Sequence, residues 1–244
     1  MSLNLCDLPQ LALEKIVLAA VQTDETERAL ALALVSKDTL EALKHLRLPF
    51  GKGKFSDVES VSRHVSSAAR VWDLGTCDLS RCTGLRDLSG LASLTALRSL
   101  DLSDCYKVHD LTPVASLTAL ETLNLAYCLD VTDISPLATC VALQTLNLAY
   151  CVNVADISPL KHCTSLHTLS ITDCQQVTDI SPLASLKALR SLDISYCPGL
   201  EDVSVLVGLR ELRTLNISFS LNIEQSHLDI LWTRTSLTIF WLED

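Results

Sequence analysis

The sequence predicts an α/β solenoid, a right-handed superhelix of about eight parallel strands with short helical or 3-10 convex arcs, preceded by an N-terminal helical segment. Three features carry that prediction. A motif Leu-x-x-Leu-x-Leu-x-x-Cys returns at an unbroken step of 23 residues. Within each copy, apolar residues alternate with small polar ones, the period of a strand with one buried face. Between copies, the run Val131-Thr-Asp-Ile-Ser-Pro-Leu137 returns in close variants at Val154 and Val177, each with a serine-proline pair that opens a helical turn.

The chain divides into an N-terminal helical segment, residues 1–70, and a repeat domain, residues 71–244. In the first, Leu8-Pro9, then Leu13, Ile16 and Val17 at helical spacing, and Ala29 to Val35 followed by Ser36-Lys37, predict a compact helical unit over residues 5–47. Gly51 to Lys54 reads as a flexible basic hinge, and Ser56 with Glu59 as a capping box opening another helix to about Ser67.

The repeats begin at Leu74 (with Cys77, Leu79, Cys82) and return at Leu97, Leu120, Leu143, Leu166, Leu189 and Leu212, where Ser220 takes the cysteine position. After two extra residues a last copy runs Leu237, Phe240, Leu242. One unit is too small to cover its own apolar face, so neighbours must stack into a continuous core with a parallel sheet along the concave side. Ser135, Ser158 and Ser181 stand where an N-cap belongs, with Pro136, Pro159 and Pro182 at the first helical position.

Cysteine at the ninth motif position resembles the cysteine-containing leucine-rich repeats common in F-box proteins. The Asp-Ile-Ser-Pro-Leu arc is similar to that of the bacterial internalins and of the regulatory subunit of protein phosphatase 1. The resemblance covers residues 71–244 and implies a binding scaffold, a class that serves many unrelated tasks. In the N-terminal segment, Leu8-Pro9, the spaced Ile16 and Ala33-Leu-Val-Ser-Lys37 resemble the F-box, the three-helix module that docks on the Skp adaptor of cullin-type ubiquitin ligases. That resemblance implies adaptor contacts at Leu8, Pro9, Ile16, Leu34 and Val35. It departs from the family in a longer gap between Ile16 and Val35, and in Asp38-Thr39 where an aromatic is expected. The alternative is a helical cap that shields the first repeat from water.

Charge narrows the partner. A formal charge of −10 and a pI near 5.0 repel phosphate backbones and anionic lipid, so neither nucleic acid nor membrane is expected, and a protein with a basic surface is. Asp7 and Pro9 interrupt any apolar run at the start, so no secretory signal is expected and the chain is placed inside the cell, cytoplasmic or nuclear. The ten cysteines then read as free thiols, with Cys82, Cys105, Cys128, Cys151, Cys174 and Cys197 packed in the turn after each strand and Cys140 and Cys163 standing in for core leucines.

Strand alternation allows the outward side chains to be written by column. The central column is Asp78, Asp101, Asn124, Asn147, Ser170, Asp193, Asn216 and Trp241; a hydroxyl column runs beside it from Thr76 to Thr214. At the strand exit stand Arg81, Asp104, Tyr127, Tyr150, Asp173, Tyr196 and Phe219. Exposed aromatics supply rigid contact area, so Tyr127, Tyr150, Tyr196 and Phe219 are candidate anchors and Asp78, Asp101, Asp104, Asp173 and Asp193 candidate selectors of a basic partner, with Asn124, Asn147 and Trp241 of the central column as further partner-binding candidates. The competing reading is that these residues only keep the sheet soluble and packed. Near the C-terminus, Ser226 to Trp232 either folds over the end of the coil as a cap or leaves an edge that joins another subunit.

Nothing nominates a catalytic site. The histidines share no period, Cys140, His162 and Cys163 lack a fourth zinc ligand, and no nucleophile has a positioned base. No metal or cofactor is expected. The sequence therefore predicts a non-catalytic interaction module: either an F-box-type substrate receptor, or a structural or regulatory scaffold subunit of a phosphatase, cytoskeletal or ciliary assembly.

Overall fold

The computed structural model describes residues 75–242. The helical unit predicted for residues 5–47, with Leu8, Pro9, Ile16, Leu34 and Val35, lies outside the described residues, as do the hinge, the following helix and Leu74. From Thr76 onward the 23-residue step becomes geometry. The strands are β1 (Thr76–Asp78), β2 (Ser99–Asp101), β3 (Thr122–Asn124), β4 (Thr145–Asn147), β5 (Thr168–Ser170), β6 (Ser191–Asp193), β7 (Thr214–Asn216) and β8 (Thr238–Phe240). They form one sheet in sequence order, each parallel to its neighbours, an open coil with one strand per repeat.

Each arc is a single 3-10 turn: Ser89–Ser93, Thr112–Ser116, Ser135–Thr139, Ser158–His162, Ser181–Ser185 and Ser204–Gly208. Five residues are enough to reverse the chain across a narrow coil. The serines do not cap these turns as expected. Ser135 is the first residue of its turn, and the acceptor comes from Asp133, whose Oδ1 takes the Ser135 N–H at 2.7 Å while Oδ2 takes its hydroxyl at 2.9 Å. Asp87, Asp110, Asp156, Asp179 and Asp202 accept the N–H two residues on in the same way, because an Asx turn places a carboxylate closer to that donor than a serine on the turn itself can reach.

The interior is a ladder of leucine, isoleucine and valine, with Leu120, Leu123, Leu125, Val131, Ile134 and Leu137 in one repeat all withdrawn from solvent. No copy closes this core by itself; each leucine is covered by its counterparts one repeat before and after.

The last repeat departs from the expected register. Strands β1 to β7 pair residue for residue at a 23-residue offset, but Thr214, Leu215 and Asn216 face Thr238, Ile239 and Phe240, an offset of 24. A shift of one residue turns every side chain to the other face. Phe240 therefore takes the outward central position assigned to Trp241, and Ile239 and Trp241 turn toward the core. Trp241 is half-buried and stacks on Trp232 with ring centroids 5.1 Å apart, so its place among the central-column contact residues is corrected. The arc before β8 is a true helix, α1 (Gln225–Trp232), which buries Leu228 and Leu231 and leaves Ile230 and Trp232 exposed. It lies in the chain between β7 and β8 as the arc of the last repeat.

Candidate functional site

The outward columns converge where the strands end. At each exit the backbone must leave the sheet, and three consecutive groups manage this. In the third repeat, Asn124 Oδ1 accepts the Ala126 N–H at 3.1 Å, the Tyr127 N–H donates across to the Ala149 carbonyl at 2.9 Å, and the Cys128 N–H donates back to the Leu125 carbonyl at 3.0 Å. The middle residue pays with its conformation: Arg81, Asp104, Tyr127, Tyr150, Asp173, Tyr196 and Phe219 all have positive φ, between 55 and 62°. Such a backbone is uncommon for bulky residues. Here it recurs at every exit and gives each N–H a partner one repeat on.

This geometry aims the exit side chains in a row. The Tyr127 and Tyr150 rings stack with centroids 4.3 Å apart and planes 6° apart; Tyr196 and Phe219 stack at 4.5 Å and 19°. Tyr127 and Tyr196 remain 40% and 46% exposed. The rungs between and before them are short acids, Asp173 and Asp104. Asp104 is engaged: its Oδ1 accepts the Tyr106 hydroxyl at 3.0 Å, and Oδ2 lies 3.8 Å from the Arg81 guanidinium.

The central column carries a structural duty that spacing did not announce. Asp78, Asp101, Asn124, Asn147, Asp193 and Asn216 each accept the N–H two residues on, closing the strand end. Asp101 and Asp193 spend their other oxygen as well, on the amides of Asn124 at 3.1 Å and Asn216 at 3.0 Å. Phe240 has no acceptor to offer, and the Ser218 hydroxyl takes over by accepting the Leu242 N–H. Among the acids nominated from sequence, Asp78 and Asp173 retain an oxygen, Oδ2 in both cases, without a partner among the described residues.

The thiol column is internal. Cys105, Cys128, Cys151, Cys174 and Cys197 donate through Sγ to the carbonyls of Leu79, Leu102, Leu125, Leu148 and Ile171, each 26 residues earlier, at 3.1–3.2 Å. Ser220 makes the same bond with Oγ at 2.7 Å to Ile194. Burial pushes Cys105, Cys128, Cys151 and Cys197 up to about 12, so these sulfurs stay protonated donors. Cys140 and Cys163 donate to Val114 and Leu137 in a parallel column on the arc side. Among the described residues, no group of three or more His, Cys, Asp or Glu could hold a metal ion, and no helix is long and apolar enough to cross a membrane.

Strand-per-repeat coiling, the exit turn and the thiol ladder define a leucine-rich-repeat solenoid. The family model for leucine-rich repeats (2 copies) matches residues 118–162 and 141–185. The fold is similar to that of internalin C2 of Listeria monocytogenes, at 30% identity over 65% of this chain and 67% of that one, with a TM-score of 0.56. A second Listeria monocytogenes internalin, InlF, has 24% identity over 74% of this chain and 56% of its own, also with a TM-score of 0.56. A comparison with curated proteins found no match. The chain belongs to the leucine-rich-repeat family, with internalin-type structural neighbours. Proteins of this fold are in general non-enzymatic modules that bind other proteins.

Proposed function

We propose that the chain binds a basic protein segment along its strand-exit ridge, with Tyr127, Tyr150, Tyr196 and Phe219 as anchors and the carboxylates of Asp78, Asp104 and Asp173 beside them. One observation carries this reading: two aromatic pairs are already stacked in the free protein, half-exposed on a backbone fixed at every rung. Binding then costs little ordering entropy, which is where preorganised aromatic surfaces gain affinity. Asp101, Asp193, Asn124 and Asn147 contribute through the stiffness they give the sheet, and their exposed edges form a polar rim.

The finer form of the proposal is a substrate receptor of a cullin-type ubiquitin ligase, inside the cell, with residues 1–70 docking a Skp-type adaptor through Leu8, Pro9, Ile16, Leu34 and Val35, and residues 71–244 holding the target. The sequence of residues 5–47 supports it, and the unpaired thiols Cys77 to Cys197 suit a reducing compartment.

Affinity purification of the full chain followed by mass spectrometry tests both levels. Tyr127→Ala with Tyr150→Ala should weaken partner capture about tenfold while the melting temperature stays close to that of the parent. A large fall in melting temperature would instead make these packing residues. Leu8→Asp with Ile16→Asp should release a Skp-type adaptor and leave the ridge partner bound. Absence of any such adaptor from the parent purification leaves the scaffold role, with residues 1–70 as a cap.

A further inference from the structure

The exit ridge is a stack with one rung missing. Tyr127 and Tyr150 occupy the third and fourth rungs, Tyr196 and Phe219 the sixth and seventh, and each pair stacks at 4.3–4.5 Å, close to the spacing of adjacent strands. The fifth rung is Asp173, whose backbone has the same left-handed conformation, at φ 55°. Its side chain is too short to reach ring height, so the outer faces of Tyr150 and Tyr196 look toward each other across roughly two strand spacings, about 9–10 Å. A flat group in that gap would lie one rung from each ring, at the distance at which the rings already stack on their own partners.

The floor of the gap decides what the flat group is. Asp173 Oδ1 accepts the Gln175 amide at 3.1 Å, and Oδ2 has no partner among the described residues. A neutral aromatic would leave that carboxylate oxygen facing a ring edge or face with no hydrogen to accept. An ammonium would satisfy the charge but offers no plane to stack. A guanidinium does both, since it is flat, binds aromatic faces by cation–π attraction within about 6 Å, and donates in the plane to a carboxylate. No other pair of aromatics on the described ridge brackets an acid: Asp104 has Arg81 on one side and is already held by Tyr106.

We infer that the gap between Tyr150 and Tyr196 over Asp173 is an arginine slot, in which the guanidinium of an arginine from the bound protein completes the aromatic stack. The inference rests on the proposed use of the ridge for protein binding and adds the residue type that it reads. It makes arginine, rather than positive charge in general, the feature that selects the partner.

Two capped peptides of equal charge, acetyl-hexaarginine amide and acetyl-hexalysine amide, separate these statements when titrated calorimetrically into the full chain. The arginine peptide should bind about tenfold tighter than the lysine peptide. Tyr196→Leu should weaken the arginine peptide far more than the lysine peptide and bring the two to the same affinity. Asp173→Tyr, which supplies the missing rung with a residue that this backbone already accepts at Tyr150 and Tyr196, should fill the slot and remove the preference while folding normally by circular dichroism. Equal affinity of the two peptides for the parent, or an arginine preference that survives Asp173→Tyr, overturns the slot. Neither result touches the broader ridge proposal, which fails if Tyr127→Ala with Tyr150→Ala leaves capture of the natural partner intact or sharply lowers the melting temperature.

Discussion

At the scale of single residues, the ninth motif position shows how a sequence signature becomes a bond. Cysteine there is small enough for the turn, apolar enough for full burial, and still a donor to the carbonyl 26 residues earlier. The same reasoning makes the substitution at Ser220 an equivalent, since a hydroxyl reaches Ile194 at 2.7 Å. Cys128→Ser should therefore cost well under about 1 kcal/mol, whereas Cys128→Val, close in volume but without a donor, leaves the Leu102 carbonyl only the Cys105 N–H at 3.1 Å and should cost about 1 kcal/mol, the net value of one hydrogen bond. Urea denaturation of the two variants checks this, and equal losses would reduce the column to a matter of volume. Burial of these thiols was legible from their period. The left-handed exits were not, because tyrosine and phenylalanine have no preference for positive φ and no residue there is glycine; only the stacked turns force it.

Among elements, the arcs and strands were readable because proline, serine and alternating leucine act locally. The last repeat was not. Two inserted residues fixed the leucine at Leu237, but the strand register followed Thr238 and Ile239, so the inward positions belong to Ile239 and Trp241. Beyond strand pairing and the buried Leu228 and Leu231, this repeat is tied to its neighbour by a residue that no motif contains. Arg234 donates to four carbonyls at the end of the preceding arc and the approach to β7: Leu206 at 3.1 Å, Leu209 at 2.8 Å, Leu212 at 3.2 Å and Arg210 at 3.3 Å. A guanidinium is shaped for such a fan, and lysine is not. Arg234→Ala should lower stability by roughly 2–4 kcal/mol and Arg234→Lys by about half as much. Hydrogen exchange should show the loss first in β7, β8 and α1. A loss spread evenly over all repeats would contradict a local latch.

Across the whole molecule, the repeated thiol makes stability depend on pH in a way that no single residue would. Desolvation raises Cys77, Cys105, Cys128, Cys151, Cys163 and Cys197 from an ordinary value of 9.0 to about 12, and raises Cys174 further in the same direction. The sign follows from where the protons go. Below pH 9 both folded and unfolded chains hold them, and the thiol hydrogen bonds contribute in full. Between pH 9 and about 12 the unfolded chain releases protons that the folded chain keeps, so each pH unit transfers up to about 1.4 kcal/mol per thiol in favour of unfolding. Because neighbouring repeats stabilise one another, these contributions add along one cooperative coil. The urea midpoint should therefore stay level from about pH 7 to 8 and fall steeply by about pH 10. Lysine and tyrosine also titrate there, so the control is a triple variant, Cys128→Ser, Cys151→Ser and Cys174→Ser, which keeps the hydrogen bonds in a group that does not ionise. Its alkaline slope should be visibly shallower than the parent's, and superimposable profiles would mean that the thiol ladder has no part in the alkaline limit of the fold.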